Sequence, residues 1–197
     1  MAIVLSTLSA CASLFGPTTP AYILSPNQSV ALDERRASLS AMHEWGLAGR
    51  IAVRKGDEIW AGQLRWQELD DQYQVQFNAP TGQGALRLSG GSAGVELRLA
   101  DGSRVQADDA DSLIAEQTGW DIPLNGMRQW VLGLPTTAPI DGLSLDEQGR
   151  PLSMLQSGWT IQYLRYTKDD RQLPNKIDLR NQDLSIRLVI HQWAYQS

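Results

Sequence analysis

The chain has 197 residues, 17 basic and 22 acidic side chains, a formal net charge of −5, one cysteine and two histidines. This acidic balance, with no Lys/Arg-rich stretch to track phosphates, argues against nucleic acid as a partner. The single thiol rules out internal disulfides and Cys-based zinc clusters, and His43 and His191 lack metal-ligand spacing, so no cofactor is implied. Seven Trp against two Phe is an unusual balance. Trp brings a large apolar area with an N–H that wants a partner, which suits a wide, partly wet apolar surface.

At the N-terminus the apolar start Met1-Ala2-Ile3-Val4-Leu5 leads to Leu8-Ser9-Ala10-Cys11, and no charge appears before Asp33. This has the form of a bacterial lipobox. Residues 1–10 then read as a signal peptide, and Cys11 as the site of lipidation rather than a small buried residue. Residues 11–29, with Gly16-Pro17-Thr18-Thr19-Pro20, read as the lipidated N-terminus and tether. A secretory leader opens with Lys or Arg, and here the terminal amine is the only positive charge, which places the expected start of the leader upstream. The apolar run is shorter than the roughly 20 residues a bilayer crossing takes. The expectation is a protein anchored to a membrane, not one spanning it.

Residues 30–197 are enough for one domain with a sizeable core. Leu32, Leu39, Met42 and Trp45 recur at helical spacing, which predicts an amphipathic helix over about 30–45 that ends at Gly46. The period then changes to two. Ile51 and Val53; Trp60, Gly62, Leu64 and Trp66; Tyr73, Val75 and Phe77; Leu86 and Leu88; and Val95, Leu97 and Leu99 alternate with polar residues such as Gln63, Arg65, Gln76, Arg87 and Arg98. This predicts an antiparallel meander with one apolar and one wet face, turning at Lys55-Gly56-Asp57, Asp70-Asp71, Gly90-Gly91-Ser92 and Asp101-Gly102.

Asp108-Asp109 suit a helix N-terminus and Gly119 a stop; a second short helix is expected to start with Asn125 as N-cap, carry Met127, Trp130, Val131 and Leu134, and end by Pro135. Strands resume at Leu143 and Leu145, Met154 and Leu155, Trp159 to Tyr163, Ile177 and Leu179, and Leu184 to Ile190. About ten or eleven short strands, each apolar on one face, favour a barrel or a strongly curved sheet whose mouth the two inserted helices can cover.

Gly90-Gly91-Ser92-Ala93-Gly94 matches the G-x-S-x-G pattern of hydrolase nucleophile elbows. That motif needs a helix directly after the serine, but Val95-Glu96-Leu97-Arg98-Leu99 alternates as a strand. The pairs Asp70-Asp71, Asp108-Asp109 and Asp169-Asp170 read as turn and cap residues. No catalytic constellation is present in the sequence, and an enzyme is not expected.

The stretch from Ala107 through Thr118-Gly119-Trp120-Asp121-Ile122-Pro123-Leu124-Asn125-Gly126-Met127-Arg128-Gln129-Trp130-Val131-Leu132-Gly133-Leu134-Pro135 resembles the LolB family of outer-membrane lipoprotein receptors, most specifically from Ile122 to Pro135. The order of lipobox, helix, meander, helix pair and closing strands is similar over essentially the whole chain. The resemblance implies a mainly β fold with helices: an unclosed antiparallel β-barrel of about eleven strands with a helical lid and a hydrophobic cavity for acyl chains. It implies as partners a periplasmic lipoprotein carrier of LolA-like fold, triacylated lipoproteins and outer-membrane phospholipids, with the receptor a monomer on the periplasmic face of the outer membrane. Ala12 lacks the Asp that, in the sorting rule associated with such lipoproteins, retains a protein at the inner membrane.

Burying an acyl chain of about 16 carbons at about 0.8 kcal/mol per CH₂ requires roughly a dozen kcal/mol of apolar compensation outside the bilayer. The inward faces would supply it through Trp60, Leu64, Trp66, Val75, Phe77, Leu86, Leu88, Leu97, Trp130 and Ile161, each of which is equally compatible with an ordinary solid core. The turn after Phe77, with Ala79, Pro80, Thr81 and Gly82, corresponds to a family loop that carries an exposed leucine associated with release into the membrane; Thr81 stands nearest that position, and Leu14-Phe15 is the other candidate for membrane contact. No nucleotide site is visible, so transfer is expected to run downhill in affinity. The competing readings are a structural lipoprotein with a filled barrel and a soluble carrier of the same fold, although a carrier has no use for Cys11 in a lipobox.

Overall fold

A computed structural model describes residues 24–80 and 85–195. Cys11, Leu14, Phe15, Thr81 and Gly82 lie outside the described residues; Ala79 and Pro80 lie inside them. Helix α1 covers Pro26–Ser40 rather than about 30–45. Its start is set by a capping box: the Ser25 hydroxyl accepts from the Gln28 N–H, the Gln28 amide accepts from the Ser25 N–H, and Pro26 takes the first helical position. Trp45, expected on this helix, belongs to the first strand. Its alternation with Leu47, Ile51 and Val53 outweighs its helical spacing from Met42.

From there β1 (Glu44–Lys55), β2 (Glu58–Leu69), β3 (Gln72–Asn78), β4 (Leu86–Gly91), β5 (Gly94–Arg98) and β6 (Arg104–Ala107) form an antiparallel meander. Four-residue β6 is too short for its period to show in the sequence. Ser92 sits in the β4–β5 turn with a strand behind it, which is the geometry of a hairpin and not of a nucleophile elbow.

Helices α2 (Ala110–Thr118) and α3 (Leu124–Trp130) follow, and then β7 (Ile140–Leu145), β8 (Pro151–Gln156), β9 (Trp159–Tyr166), β10 (Pro174–Arg180) and β11 (Leu184–Tyr195). The eleven strands make one sheet in the order β6-β5-β4-β3-β2-β1-β11-β10-β9-β8-β7. The central pair β1·β11 joins the two halves of the chain, and β6 and β7 are left as free edges. The sheet is therefore an unclosed barrel, and the chain crosses its open seam through α2 and α3.

Alternation places the core on the concave face. Leu64 and Trp66, Phe77, Leu88 and Leu97 are buried there, as are Ile161, Ile177, Leu179, Ile186 and Leu188 from the second half. No helix among the described residues is long and apolar enough to cross a membrane.

Candidate functional site

The two halves of the concave face are filled differently. Around β8–β11, Ile161, Ile177 and Leu188 are fully buried in close packing. Over β1–β5 an apolar cavity of about 70 Å³ remains, lined by side chains of which all but Thr118 are apolar. The strand registers build its wall in rows. Trp66 stands opposite Val75, Val75 opposite Leu88 and Leu88 opposite Leu97; in the next row Leu64 faces Phe77 and Phe77 faces Leu86. Ile51 and Trp60 complete this wall.

Eight of the ten proposed lining residues are thus brought together: Trp60, Leu64, Trp66, Val75, Phe77, Leu86, Leu88 and Leu97. Trp130 and Ile161 are not among the lining residues; both are buried, and the Trp130 ring packs against Trp159 at 6.4 Å. Ile114, Thr118, Ile122, Leu124 and Met127 from the helical segment form the roof.

Gly62 shapes the wall. A Cβ there would lie 2.7 Å from the Phe77 ring, so the ring can lie over β2 and stack on Trp60 with centroids 3.6 Å apart only because Gly62 has no side chain. Trp120, between the two helices, meets Trp60 at 6.4 Å.

The lid is held at both ends by polar groups. Asp109 caps α2 by accepting from the Ser112 N–H at 2.8 Å, and this bond leads the causes that hold its carboxyl below the usual range. Gly119 ends α2 in the left-handed conformation, φ +74. Asn125 is not the N-cap of α3, a place taken by Pro123; it lies inside the first turn, where its side chain donates to Asp109 and its N–H to Asp111. Asn125 therefore ties α3 to α2 instead of capping its own helix, as its place before the apolar run suggests.

On one flank, Arg128 of α3 makes a forked pair with Glu68 of β2, closest at 2.7 Å, while lying 4.5 Å above the Tyr73 ring. The Trp66 N–H donates to the same Glu68 carboxylate at 2.9 Å, so this buried acid has a partner for each oxygen. On the other flank Gln156 of β8 accepts from the Trp130 indole and the Thr136 N–H and donates to the Thr136 and Ala138 carbonyls. The Tyr163 hydroxyl donates to the Trp130 carbonyl, and burial pushes that phenol well above its usual range. Helix α3 thus joins the two halves of the sheet, with a salt bridge on the cavity side and a neutral, fully satisfied amide on the packed side. Glu68, Arg128 and Gln156 were not singled out in the sequence. Arg128 lies in the stretch that carries the family resemblance, but no local pattern announces its partner sixty residues away.

The chain matches the family described as outer membrane lipoprotein LolB over residues 43–193. It is 35% identical over 195 residues to an outer-membrane lipoprotein LolB of Nitrosococcus oceani, covering 98% of this chain and 96% of that one. It is 33% identical over 187 residues to the Stutzerimonas stutzeri protein of the same name, covering 94% and 89%. Among solved structures, a LolA superfamily protein from Nitrosomonas europaea shares the fold at a TM-score of 0.52 and 7% identity, covering 86% of this chain and 94% of that one. The chain belongs to the LolB family of outer-membrane lipoproteins.

Proposed function

We propose that the chain receives acylated lipoproteins from a soluble periplasmic carrier, shelters their acyl chains in the β1–β5 cavity and releases them into the inner leaflet of the outer membrane. The cavity carries this reading: a concave wall of aromatic and aliphatic side chains under an apolar roof, with no charged lining residue. At about 70 Å³ it is far smaller than the roughly 300–1,000 Å³ of ordinary ligand pockets, so an acyl chain of about 16 carbons must displace α2 and α3 to enter. Cargo entry is then coupled to lid movement, and the apolar roof residues Leu124 and Met127 exchange contacts with the wall for contacts with the acyl chain. No nucleotide is needed when each acceptor binds the cargo more tightly than the donor.

In this reading Cys11 carries the lipid anchor, the chain works as a monomer, and Ala79, Pro80, Thr81 and Gly82 form the membrane-facing turn. A photo-crosslinking residue at Leu97 should capture an incoming triacylated lipoprotein, and one at Ile161 should capture little. Equal capture at both, or none at Leu97, would falsify the assignment of the cavity. Labelled palmitate should enter the wild-type protein in cells and not Cys11→Ala; a wild-type protein free of label removes the anchor from the scheme.

A further inference from the structure

The outward face of the meander carries a charge pattern that the cavity does not use. Arg65 on β2 stands opposite Gln76 on β3, Gln76 opposite Arg87 on β4, Arg87 opposite Arg98 on β5, and Arg98 opposite Arg104 on β6. All four arginines are exposed. With strands about 4.8 Å apart, they form one line about 19 Å long across five strands. Like charges directly opposite one another weaken a sheet, and here three successive strands put arginine against arginine.

The chain has acidic residues in excess, yet among the described residues only Glu96 pairs with this row, 3.9 Å from Arg104. Protection of a free edge accounts for Arg104 on β6. It does not account for Arg87 or Arg98, whose strands are paired on both sides.

We propose that this row is a docking surface for an anionic phospholipid bilayer. The inference rests on the reading of the chain as a membrane-anchored receptor and adds the face with which it meets the membrane. Arg65, Arg87 and Arg98 alternate along their strands with the cavity residues Leu64, Trp66, Leu88 and Leu97, so the row points away from the concavity. A carrier that passes an acyl chain into the cavity works from the other side. Arg87 is also the second residue of β4, at the end of that strand next to the segment proposed to face the membrane. A net charge of −5 repels the whole chain from an anionic surface, and a segregated basic row turns one face toward it. Basic side chains near such a surface each strengthen partitioning by about fivefold, an effect that added salt screens.

The test uses the full chain with Cys11→Ala, so that no lipid anchor contributes, in sedimentation with vesicles. It should bind phosphatidylcholine vesicles containing phosphatidylglycerol, bind pure phosphatidylcholine far more weakly, and lose the difference in high salt. Adding Arg87→Gln, Arg98→Gln and Arg104→Gln should weaken binding roughly a hundredfold. Removing the same charge elsewhere, with Arg36→Gln, Arg165→Gln and Arg180→Gln, should cost no more than a few-fold.

The row variant should melt no lower than its parent, since repulsion is relieved, and it should still be crosslinked to cargo from Leu97. Should the triple variant not fold, Arg98→Gln alone is expected to lose about fivefold. Unchanged binding by the row variant, an equal loss in the off-row control, or no preference for phosphatidylglycerol would each overturn the proposal. So would intact vesicle binding with loss of binding to the purified carrier, which would give the row to a protein partner. Loss of crosslinking with vesicle binding preserved would count against the cavity reading and leave the row standing.

Discussion

Leu88→Glu should abolish acceptance of an acylated cargo, whereas Arg87→Glu, one residue away on the same strand, should leave acceptance close to wild type. Leu88 is 4% exposed and sits in the cavity wall between Val75 and Leu97. A carboxylate there meets no cation among the described residues that line the cavity, and an acyl chain laid against it must either leave it buried and unpaired or stay out. Arg87 faces solvent on the opposite side of β4. The measurement is transfer from the loaded carrier to each variant, with circular dichroism as the folding control. Leu86→Gln, at a partly buried position in the same wall, provides a gentler variant and should reduce acceptance about tenfold or more, equivalent to about 1.4 kcal/mol of lost cargo binding. Equal acceptance by folded Leu88→Glu and Arg87→Glu would show that cargo does not lie on this face.

The second large effect is expected at the salt bridge on the lid. Arg128→Ala leaves the Glu68 carboxylate buried with only the Trp66 N–H for company, and should cost about 2–4 kcal/mol in denaturant unfolding. The arginine side chain is 27% exposed and the glutamate 5%, so solvent relieves a lone arginine far more than a lone glutamate. Glu68→Gln keeps an acceptor for the indole and for Arg128 and should therefore cost less than Arg128→Ala. The same two variants free one flank of α3, so both should take up a fluorescent acyl probe faster than wild type, in the order Arg128→Ala above Glu68→Gln. If Glu68→Gln proves the more destabilising of the two, a lone buried carboxylate is not what Arg128 guards against, and if uptake is unchanged in both, the pair is not a restraint on the lid.

The periodicity of two was sufficient to place most of these parts. Trp60, Leu64, Trp66, Val75 and Phe77 fall on one face simply because side chains alternate along a strand, and the registers bring that face to the cavity. Alternation cannot tell a hollow from a filled core, because it fixes which side a residue faces and not the volume left between opposing sides. For that reason Ile161 and Leu88 look alike in sequence and differ in the fold.

The start of α1 at Pro26 is marked by the capping box Ser25-Pro26-Asn27-Gln28, a signal the expected helix over about 30–45 leaves out, and the apolar spacing that runs on to Trp45 hides the end of the helix at Ser40. The polar fastenings of the lid were not legible at all. Glu68 meets Arg128, and Trp130 meets Gln156, across separations that only the completed sheet closes.

Leaving the barrel open carries a cost of a different kind. A closed barrel has no unpaired backbone, whereas this sheet ends in two strands whose outer N–H and C=O groups could template pairing with another copy of the chain. Both are made poor templates. One is only four residues long and begins with an arginine, and the other is broken out of regular register twice, near Asp141 and again between Ser144 and Leu145. The irregular pairing of β7 with β8, which looks like a defect beside the straight pairing of β1 with β2, makes the open edge a poor template for a strand from another copy.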